Sequence, residues 1–358
     1  MAPADAAAPS AGLVVHLRRA LNDVVAAGAP GAIVLLRDGG RTIRLAAGSS
    51  RLAPVEPMRP GLPTRVGSVT KAFTATVVLQ LVGERRLALD DTLERWLPGV
   101  ISNGSAITVR QLLNHTSGIY DYVQDPRTLA PYYAGDFTLV FDVRDGVRYA
   151  AEHGPLFAPG TALAYSNTNY VLLGMIVESI TGRSIGDELR RRLFVPLGLH
   201  HTSYPTSSDI AGPHVHGYGV EEPPPVEFTA LSPTLFGAAG AVLSNADDLA
   251  RFYRALLRGE LLPARLLVEM KKIDPVATGG IPDAGILGGG WGLGLLREQF
   301  PCGPAWGNDA ENPGYTTAAW NSPDSRRQVT VIVNSFFGHD APVNQAVRKL
   351  LITAYCDR

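Results

Sequence analysis

The chain has 358 residues and a formal net charge of −1, with 46% hydrophobic and 18% charged residues. This composition is typical of a globular protein, and the length allows one large domain or two closely packed ones. A net charge near zero does not indicate the excess of basic residues that is typical of nucleic-acid-binding proteins. No apolar run approaches the roughly 18 residues of a membrane span. We therefore expect neither a nucleic-acid partner nor a membrane span; the oligomeric state is left unknown.

The N-terminal segment, residues 1–10, has neither the basic stretch nor the apolar stretch of a signal peptide. We expect it to be a short flexible leader. The protein is then cytoplasmic if this start is native, and secreted if the sequence begins at a mature end.

The first predicted elements are a helix, a hairpin and a second helix. Apolar residues recur at helical spacing over positions 13–24. Residues 32–36 and 42–46 flank an Asp-Gly-Gly turn and predict a β-hairpin. The helical pattern returns at 68–82. This order favours an α/β sandwich.

The rest of the chain divides into a helical middle and a strand-rich end. Strand patterns occupy 291–296, 314–320 and 329–333, with a Gly-Pro-rich loop between the first two, and a last helix covers 341–355. Further helices are predicted at 108–114, 169–181 and 247–257. We expect one catalytic unit made of an α/β sheet subdomain (residues 11–88 and 232–358) and a mainly helical subdomain (residues 89–231).

The sharpest local signal is the run Val66-Gly-Ser-Val-Thr-Lys71. Ser68 and Lys71 are three positions apart, which on a helix places both side chains on one face. A serine hydroxyl needs an adjacent base to act as a nucleophile, and a lysine whose pKa is lowered by burial can supply one. The helix N-terminus also offers partial positive charge to a developing oxyanion. The alternative is a helix-capping serine beside an exposed lysine.

The second signal is Tyr165-Ser-Asn167, about a hundred residues later and just before an apolar helix. A tyrosine can relay a proton, and an asparagine amide can hold a substrate carbonyl and a lysine together. The triplet carries little information alone and gains weight from its position. We expect Ser68, Lys71 and Tyr165 to be the catalytic residues.

The histidines and cysteines give weaker signals. The pairs His200-His201 and His214-x-His216 have the chemistry of metal ligands, but loop histidines are more often surface or packing groups. Cys302 and Cys356 are too few for a zinc site, and are either two separate buried thiols or a disulfide. We expect no metal and no cofactor.

Further motifs lie along nearly the whole chain: Gly28-Ala-Pro-Gly-Ala32, Arg65–Lys71, Leu113–Tyr122, Tyr165–Asn169, Pro196–Leu199, Ala239–Val242, Trp291–Leu295 and Pro313–Tyr315. Together they resemble the serine β-lactamase and penicillin-binding protein superfamily, in its branch of class C β-lactamases and D-alanyl-D-alanine carboxypeptidases. The resemblance implies an antiparallel sheet flanked by helices, with a helical insertion. It also implies an acyl-enzyme on Ser68, proton transfer by Lys71 and Tyr165, and a substrate contact by Asn167. The oxyanion hole would use the backbone N–H groups of Ser68 and of a residue after the third motif.

The third motif of that superfamily is altered here. The superfamily has Lys or His, then Thr or Ser, then Gly, whereas Asn308 stands at the basic position and Asp309 at the hydroxyl position. The arginine that helps the carboxypeptidases to bind a terminal carboxylate is replaced by Leu296. Because alternate strand residues share a face, Asp309 and Glu311 should share one. If that face is the cleft, the site disfavours a carboxylate and favours an ammonium; the alternative is that both acids point to solvent. We assign Asn308, Asp309 and Glu311 to substrate binding.

The resemblance also extends to the cysteines. In the secreted carboxypeptidases a disulfide joins the strand before the third motif to the end of the last helix, and these positions match Cys302 and Cys356. A disulfide between them is therefore implied if the protein meets an oxidising environment.

The expected function is that of a serine acyltransferase or hydrolase acting on a small-molecule or peptide ester or amide. A specialised transacylase or esterase-like enzyme of secondary metabolism, with an amine-bearing substrate or acceptor, fits the altered third motif. The alternative within enzymes is a D-alanyl-D-alanine carboxypeptidase or β-lactamase-type hydrolase. The alternative from another class is a non-catalytic penicillin-binding sensor.

Overall fold

An eight-stranded antiparallel sheet takes its strands from both ends of the chain, in the order β3-β2-β1-β12-β11-β10-β9-β8. The computed structural model describes residues 11–220, 224–278, 289–336 and 341–357, so the predicted leader lies outside the described residues. The strands are β1 Gly31–Asp38, β2 Arg41–Leu52, β3 Val55–Pro57, β4 Thr64–Arg65, β5 Tyr218–Gly219, β6 Val226–Glu227, β7 Leu243–Ser244, β8 Gly289–Trp291, β9 Leu296–Phe300, β10 Gly303–Asn312, β11 Tyr315–Asn321, β12 Arg327–Val333 and β13 Ser335–Phe336. Two small sheets, β13-β5-β6 and β4-β7, accompany the large one.

Helices lie against the large sheet and fill the middle of the chain. They are α1 Ala11–Ala26, α2 Thr70–Gly83, α3 Leu93–Trp96, α4 Val109–Leu113, α5 Pro126–Tyr133, α6 Val143–Glu152, α7 Asn167–Thr181, α8 Ile185–Leu189, α9 Val195–Leu197, α10 Ala246–Leu257, α11 Ala264–Met270 and α12 Pro342–Cys356. A π-helix, Arg190–Phe194, joins α8 to α9. This architecture confirms the predicted fold class. The described part of the middle segment consists of α3 to α9, short strands and loops, whereas the subdomain boundaries stay a prediction.

The helices also bear on membrane insertion. Within the part of the chain that the structure describes, none of them has the length and apolar character that crossing a bilayer requires.

The predicted hairpin is confirmed as β1 and β2, and β1 lies inside the sheet. Val34 is opposite Leu45 of β2 on one side and opposite Val331 of β12 on the other. Six consecutive residues of β1 are buried, as expected of a strand that is covered on both faces. The centre of the sheet therefore joins the two ends of the chain.

Two large apolar cores lie on the two faces of the sheet, and a smaller cluster among the described residues includes Ile33 of β1 and Ile332 of β12. One packs α1 and α12 against the sheet and includes Leu17 and Leu350, whereas the other surrounds α2 and α7 and includes Phe73. Because side chains alternate along a strand, Ala305 of β10 enters the first core and Trp306 the second. β10 thus separates the two cores.

The C-terminal third differs from its prediction in one place. Positions 291–296 were predicted as one strand, but 292–295 form the turn between β8 and β9, and the predicted Gly-Pro-rich loop holds β9 and β10. Gly294 has a φ of +86°, and a Cβ at this position would lie 2.3 Å from the Cβ of Ala75. The glycines of this segment, which was predicted to be a strand, instead allow a tight turn that packs on α2.

Phe73 provides a test of the second core. Its fully buried ring stacks on Phe252 with a centroid separation of 3.8 Å. We expect Phe73→Ala to lower the free energy of unfolding by about 3–5 kcal/mol, because it leaves a cavity. Denaturant titration measures this, and Val268→Ala at a 68% exposed position should change it by less than about 0.5 kcal/mol. Equal effects of the two substitutions would contradict the packing described here.

Candidate active site

Ser68 lies in a tight turn that leads directly into α2. The 3-10 turn Gly67–Val69 precedes the helix, and Lys71 is the second residue of α2. Gly67 has a φ of +50°, and a Cβ there would lie 2.7 Å from the side chain of Asn312. The absence of a side chain at Gly67 therefore allows the end of β10 to approach the Ser68 backbone.

Ser68, Lys71 and Tyr165 form a compact hydrogen-bonded group. The hydroxyl oxygens of Ser68 and Tyr165 are 2.5 Å apart, and Lys71 Nζ donates to Ser68 Oγ at 3.0 Å. Nζ also donates to Asn167 Oδ1 at 2.8 Å and to the carbonyl oxygen of Ala239 at 2.9 Å. A protonated lysine has three N–H donors, and each has an acceptor here. The neutral amine has a lone pair in place of one donor, and it can receive the Ser68 proton.

The electrostatics of Lys71 favour that role. Its side chain is fully buried, and burial lowers its pKa from 10.5 to about 7, while the negative charge of Asp121 raises it. A substantial fraction of Lys71 is therefore neutral near pH 7. Burial raises the pKa of Tyr165 far above its usual range, its bond to Ser68 lowers it, and the charges of Asp121 and Asp309 raise it further. Tyr165 keeps its proton and can donate or relay it.

Asp121 is a site residue that the sequence analysis missed. Its carboxylate accepts from the backbone N–H of Asn167 at 3.1 Å and from Asn167 Nδ2 at 2.9 Å. Asn167 Nδ2 therefore faces Asp121, and Oδ1 faces Lys71. Asp121 belongs to a segment that carried the family resemblance, but a single loop aspartate has no spacing that marks it as functional.

His115 packs against one face of the Tyr165 ring. The two rings stack at 4.6 Å, and His115 Nδ1 accepts from the backbone N–H of Ser166 at 3.2 Å. Burial, aided by the charge of Lys71, lowers the pKa of His115 well below its usual range, so the ring is neutral. A neutral ring in this position fixes Tyr165 without adding charge to the site.

Asn308, predicted to bind substrate, lies in the second core instead. It is 1% exposed, its Oδ1 accepts from the Tyr253 hydroxyl at 2.9 Å, and its Nδ2 donates to the carbonyl oxygen of Gly294 at 3.3 Å. Both ends of the amide are therefore engaged by core groups. These contacts hold the Asn308 side chain among core groups, and its assignment to substrate binding stays a prediction.

Asp309 and Glu311 lie on the other side of β10 from Asn308. Asp309 is half-buried and Glu311 is exposed. Burial raises the pKa of Asp309 well above its usual range, and the carboxylates of Glu298 and Glu311 add to this. The charge of Asp309 also acts on the Tyr165 hydroxyl, the group that contacts Ser68 Oγ.

Leu296, at the position of the superfamily's carboxylate-binding arginine, is buried on β9, while its neighbour Arg297 is exposed. Successive strand residues point to opposite faces, so Arg297 does not take the place of Leu296.

Cys302 and Cys356 form a disulfide with their Cα atoms 5.5 Å apart. The bond connects the turn between β9 and β10 to the last residue of α12. It ties the C-terminal helix to the strand pair next to the site.

The histidine pairs show packing contacts. The rings of His214 and His216 stack at 4.5 Å, and His216 Nδ1 lies 2.7 Å from a carboxylate oxygen of Glu227. Over the described ranges, the structure shows no cluster of three or more His, Cys, Asp or Glu side chains placed to hold a metal ion.

Known proteins resemble this chain in sequence. The family model described as Beta-lactamase matches residues 17–353. Penicillin-binding protein 4 of Amycolatopsis lactamdurans is 33% identical over 265 residues, a match that covers 69% of this chain and 66% of that protein. The matches with this and two further curated relatives span between 60% and 70% of the relatives' own lengths.

Solved structures resemble it over almost the whole chain. A D-stereospecific amidohydrolase from Streptomyces sp. superposes with a TM-score of 0.86 and 36% identity, covering 96% of this chain and 99% of that one. A D-amino acid amidase from Ochrobactrum anthropi SV3, solved with D-phenylalanine, gives a TM-score of 0.85 and 26% identity, covering 97% and 100%. With the family model matching over most of its length, the chain belongs to the beta-lactamase family and is a serine hydrolase of that superfamily.

Proposed function

We propose that the protein takes the acyl group of a small amide or ester onto Ser68 and passes it to water or to an amine. Lys71 is the base, and Tyr165 relays the proton. The observation that carries this proposal is the hydrogen-bonded group of Ser68, Lys71 and Tyr165, in which burial lowers the pKa of the lysine to about 7.

The reaction follows from that geometry. Neutral Lys71 accepts the hydroxyl proton of Ser68 while Oγ forms a bond to the carbonyl carbon. The bond from that carbon to the leaving nitrogen or oxygen breaks, and the leaving group takes a proton that Tyr165 relays from Lys71. Water or an amine then attacks the acyl-enzyme with the same proton transfers in reverse. The backbone N–H groups of Ser68 and of a residue at the end of β10 stabilise the oxyanion.

The substrate or acceptor that we propose carries an ammonium group. Asp309 lies within electrostatic range of Tyr165, and the positions that resemble the carboxylate-binding hydroxyl and arginine of the carboxypeptidases hold Asp309 and the buried Leu296. The neighbouring carboxylates of Glu298 and Glu311 already raise the pKa of Asp309, so a substrate carboxylate would add to this repulsion, whereas a bound ammonium would stabilise the ionised form of Asp309. The names of the two solved relatives, a D-stereospecific amidohydrolase and a D-amino acid amidase, support an amino-acid amide or ester as the donor.

Matched substrates test the ammonium. We expect D-phenylalanine amide to be cleaved with a higher kcat/KM than its N-acetyl derivative, and a peptide methyl ester or amide to be preferred over the free carboxylate. Asp309→Thr should lower kcat/KM for phenylalanine amide about 10- to 100-fold, because a hydrogen bond to a charged group contributes about 1.5–3 kcal/mol. The N-acetyl derivative should change little.

Asp90→Asn is the control, since its carboxylate is 85% exposed and lies in the loop before α3. Glu311→Thr should act in the same direction as Asp309→Thr. A parent enzyme that prefers the carboxylate, or an unchanged preference in both Asp309→Thr and Glu311→Thr, would refute the ammonium proposal.

Product analysis distinguishes a hydrolase, an acyltransferase and a non-catalytic sensor. Intact-mass spectrometry after incubation with an activated ester, with and without an amine, distinguishes hydrolysis from acyl transfer. Stoichiometric acylation without turnover would instead identify a sensor.

A further inference from the structure

Asp121 is a buried carboxylate whose hydrogen bonds lead to the catalytic lysine. It is 6% exposed and accepts from the backbone N–H of Val123 at 3.2 Å, in addition to its two bonds from Asn167. None of the ion pairs between described residues includes Asp121. A buried carboxylate without an arginine or lysine in direct contact is costly. Its position next to Asn167 therefore calls for an explanation.

The Asn167 amide has two possible orientations, and Asp121 selects one. Burial raises the pKa of Asp121, whereas its hydrogen bonds from Val123 and Asn167 and the charge of Lys71 oppose this and favour the ionised form. An ionised carboxylate only accepts hydrogen bonds, so the NH₂ end of Asn167 faces it. The oxygen then faces Lys71 Nζ at 2.8 Å. The opposite orientation would place the amide oxygen against the carboxylate and the NH₂ group against the ammonium. Both contacts would be repulsive.

We propose that Asp121 is a positioning residue for acylation, which orients Asn167 to accept from Lys71 and whose negative charge favours the protonated lysine. The inference rests on the proposed role of Lys71 as the base. Asp121 acts through its hydrogen bonds from Asn167 and through the electrostatic effect of its charge on Lys71, and it contacts no reacting atom. By holding Asn167 in place it also keeps Lys71 aligned on Ser68 Oγ.

The charges around Lys71 support this assignment. The rings of Tyr165 and Tyr170 lie 4.7 and 5.6 Å from Nζ, and burial raises the pKa of both hydroxyls, so both are neutral. His115 is neutral because burial lowers its pKa. Asp121 is the group whose charge raises the pKa of Lys71 against the effect of burial.

Two other groups complete this charge environment. From β10, Asp309 acts on the Tyr165 hydroxyl, and Tyr122 beside Asp121 remains protonated because burial raises its pKa.

The sign of the expected pH effect follows from the action of the Asp121 charge on Lys71. Acylation needs neutral Lys71, so its rate rises with pH through the pKa of that lysine. Removing the negative charge of Asp121 destabilises protonated Lys71 and lowers its pKa. In Asp121→Asn the midpoint of the acidic limb should therefore move to lower pH, by about one unit, because an opposite charge nearby shifts a pKa by about 1–3 units.

The experiment measures single-turnover acylation by p-nitrophenyl acetate across a range of pH. Asp121→Asn should lower the plateau rate about 10- to 100-fold, since the lysine loses a fixed acceptor, and should shift the midpoint as stated. Asp121→Glu keeps the charge and should retain the midpoint while lowering the plateau. Asp125→Asn is the matched control: its carboxylate is as deeply buried but binds Arg127 and His153, so the midpoint should not move.

A direct titration separates this inference from the proposed function. The chain has four lysines, at positions 71, 271, 272 and 349, so carbon-13 labelling of lysine gives few NMR signals. The titration needs no activity, so it can be carried out in Ser68→Ala. In that variant the Lys71 signal should titrate at lower pH when Asp121→Asn is added. An unchanged titration midpoint would overturn the role of Asp121. Acylation that persists in Ser68→Ala would overturn the proposed function instead.

Discussion

Replacing Ser68 with alanine should abolish acyl-enzyme formation and lower kcat/KM roughly 10⁴- to 10⁶-fold. The substitution removes the hydroxyl oxygen that contacts both Lys71 Nζ, at 3.0 Å, and the Tyr165 hydroxyl, at 2.5 Å. The fold should be retained, because the change removes a single atom from a half-buried side chain in a short turn.

Labelling with a fluorophosphonate, followed by intact-mass and peptide mapping, checks this expectation. Ser179→Ala, an exposed serine on α7, is the control and should label fully. A label that maps to any residue other than Ser68 would show that the nucleophile has been misassigned.

Lys71→Ala should have the next largest effect. General-base catalysis contributes about 10²- to 10⁴-fold, and we expect a loss of that size in the acylation rate. In the parent enzyme the rate should rise with pH through about 7, because burial lowers the pKa of Lys71 to about 7 and the neutral amine is the base. The variant should lose this acidic limb.

Stopped-flow acylation over a range of pH measures both effects. Lys349→Ala, which removes an exposed lysine paired with Asp23, is the control and should preserve the pH profile. An acidic limb that survives in Lys71→Ala with its midpoint near 7 would assign the titrating group elsewhere.

Local patterns predicted the parts of the site that lie within one element. Ser68 and Lys71 are three positions apart, and the helical period alone places them together. The β1–β2 hairpin follows from two apolar runs around a turn. The triplet at Tyr165 carried little information alone and gained weight from its position before an apolar helix and from the family resemblance.

Contacts between distant segments could not be predicted in the same way. Asp121 and Asn167 are 46 positions apart, and their pairing depends on how the loop before Tyr122 packs on the start of α7. The surroundings of Asn308 could not be predicted for a related reason. Alternation along β10 shows which residues share a face, but only the packing of Tyr253 shows that this face enters a core.

The central pairing of β1 with β12 also has a consequence for how the protein is made. Val34 pairs with Val331, which follows 297 positions later in the chain. At a synthesis rate of about 5–20 residues per second, the ribosome needs roughly 15–60 s to supply that partner. During this interval β1, which carries the apolar run Ile33-Val-Leu-Leu36, presents an unpaired edge that can associate with other chains. The long middle segment therefore sets how long each nascent chain depends on chaperones.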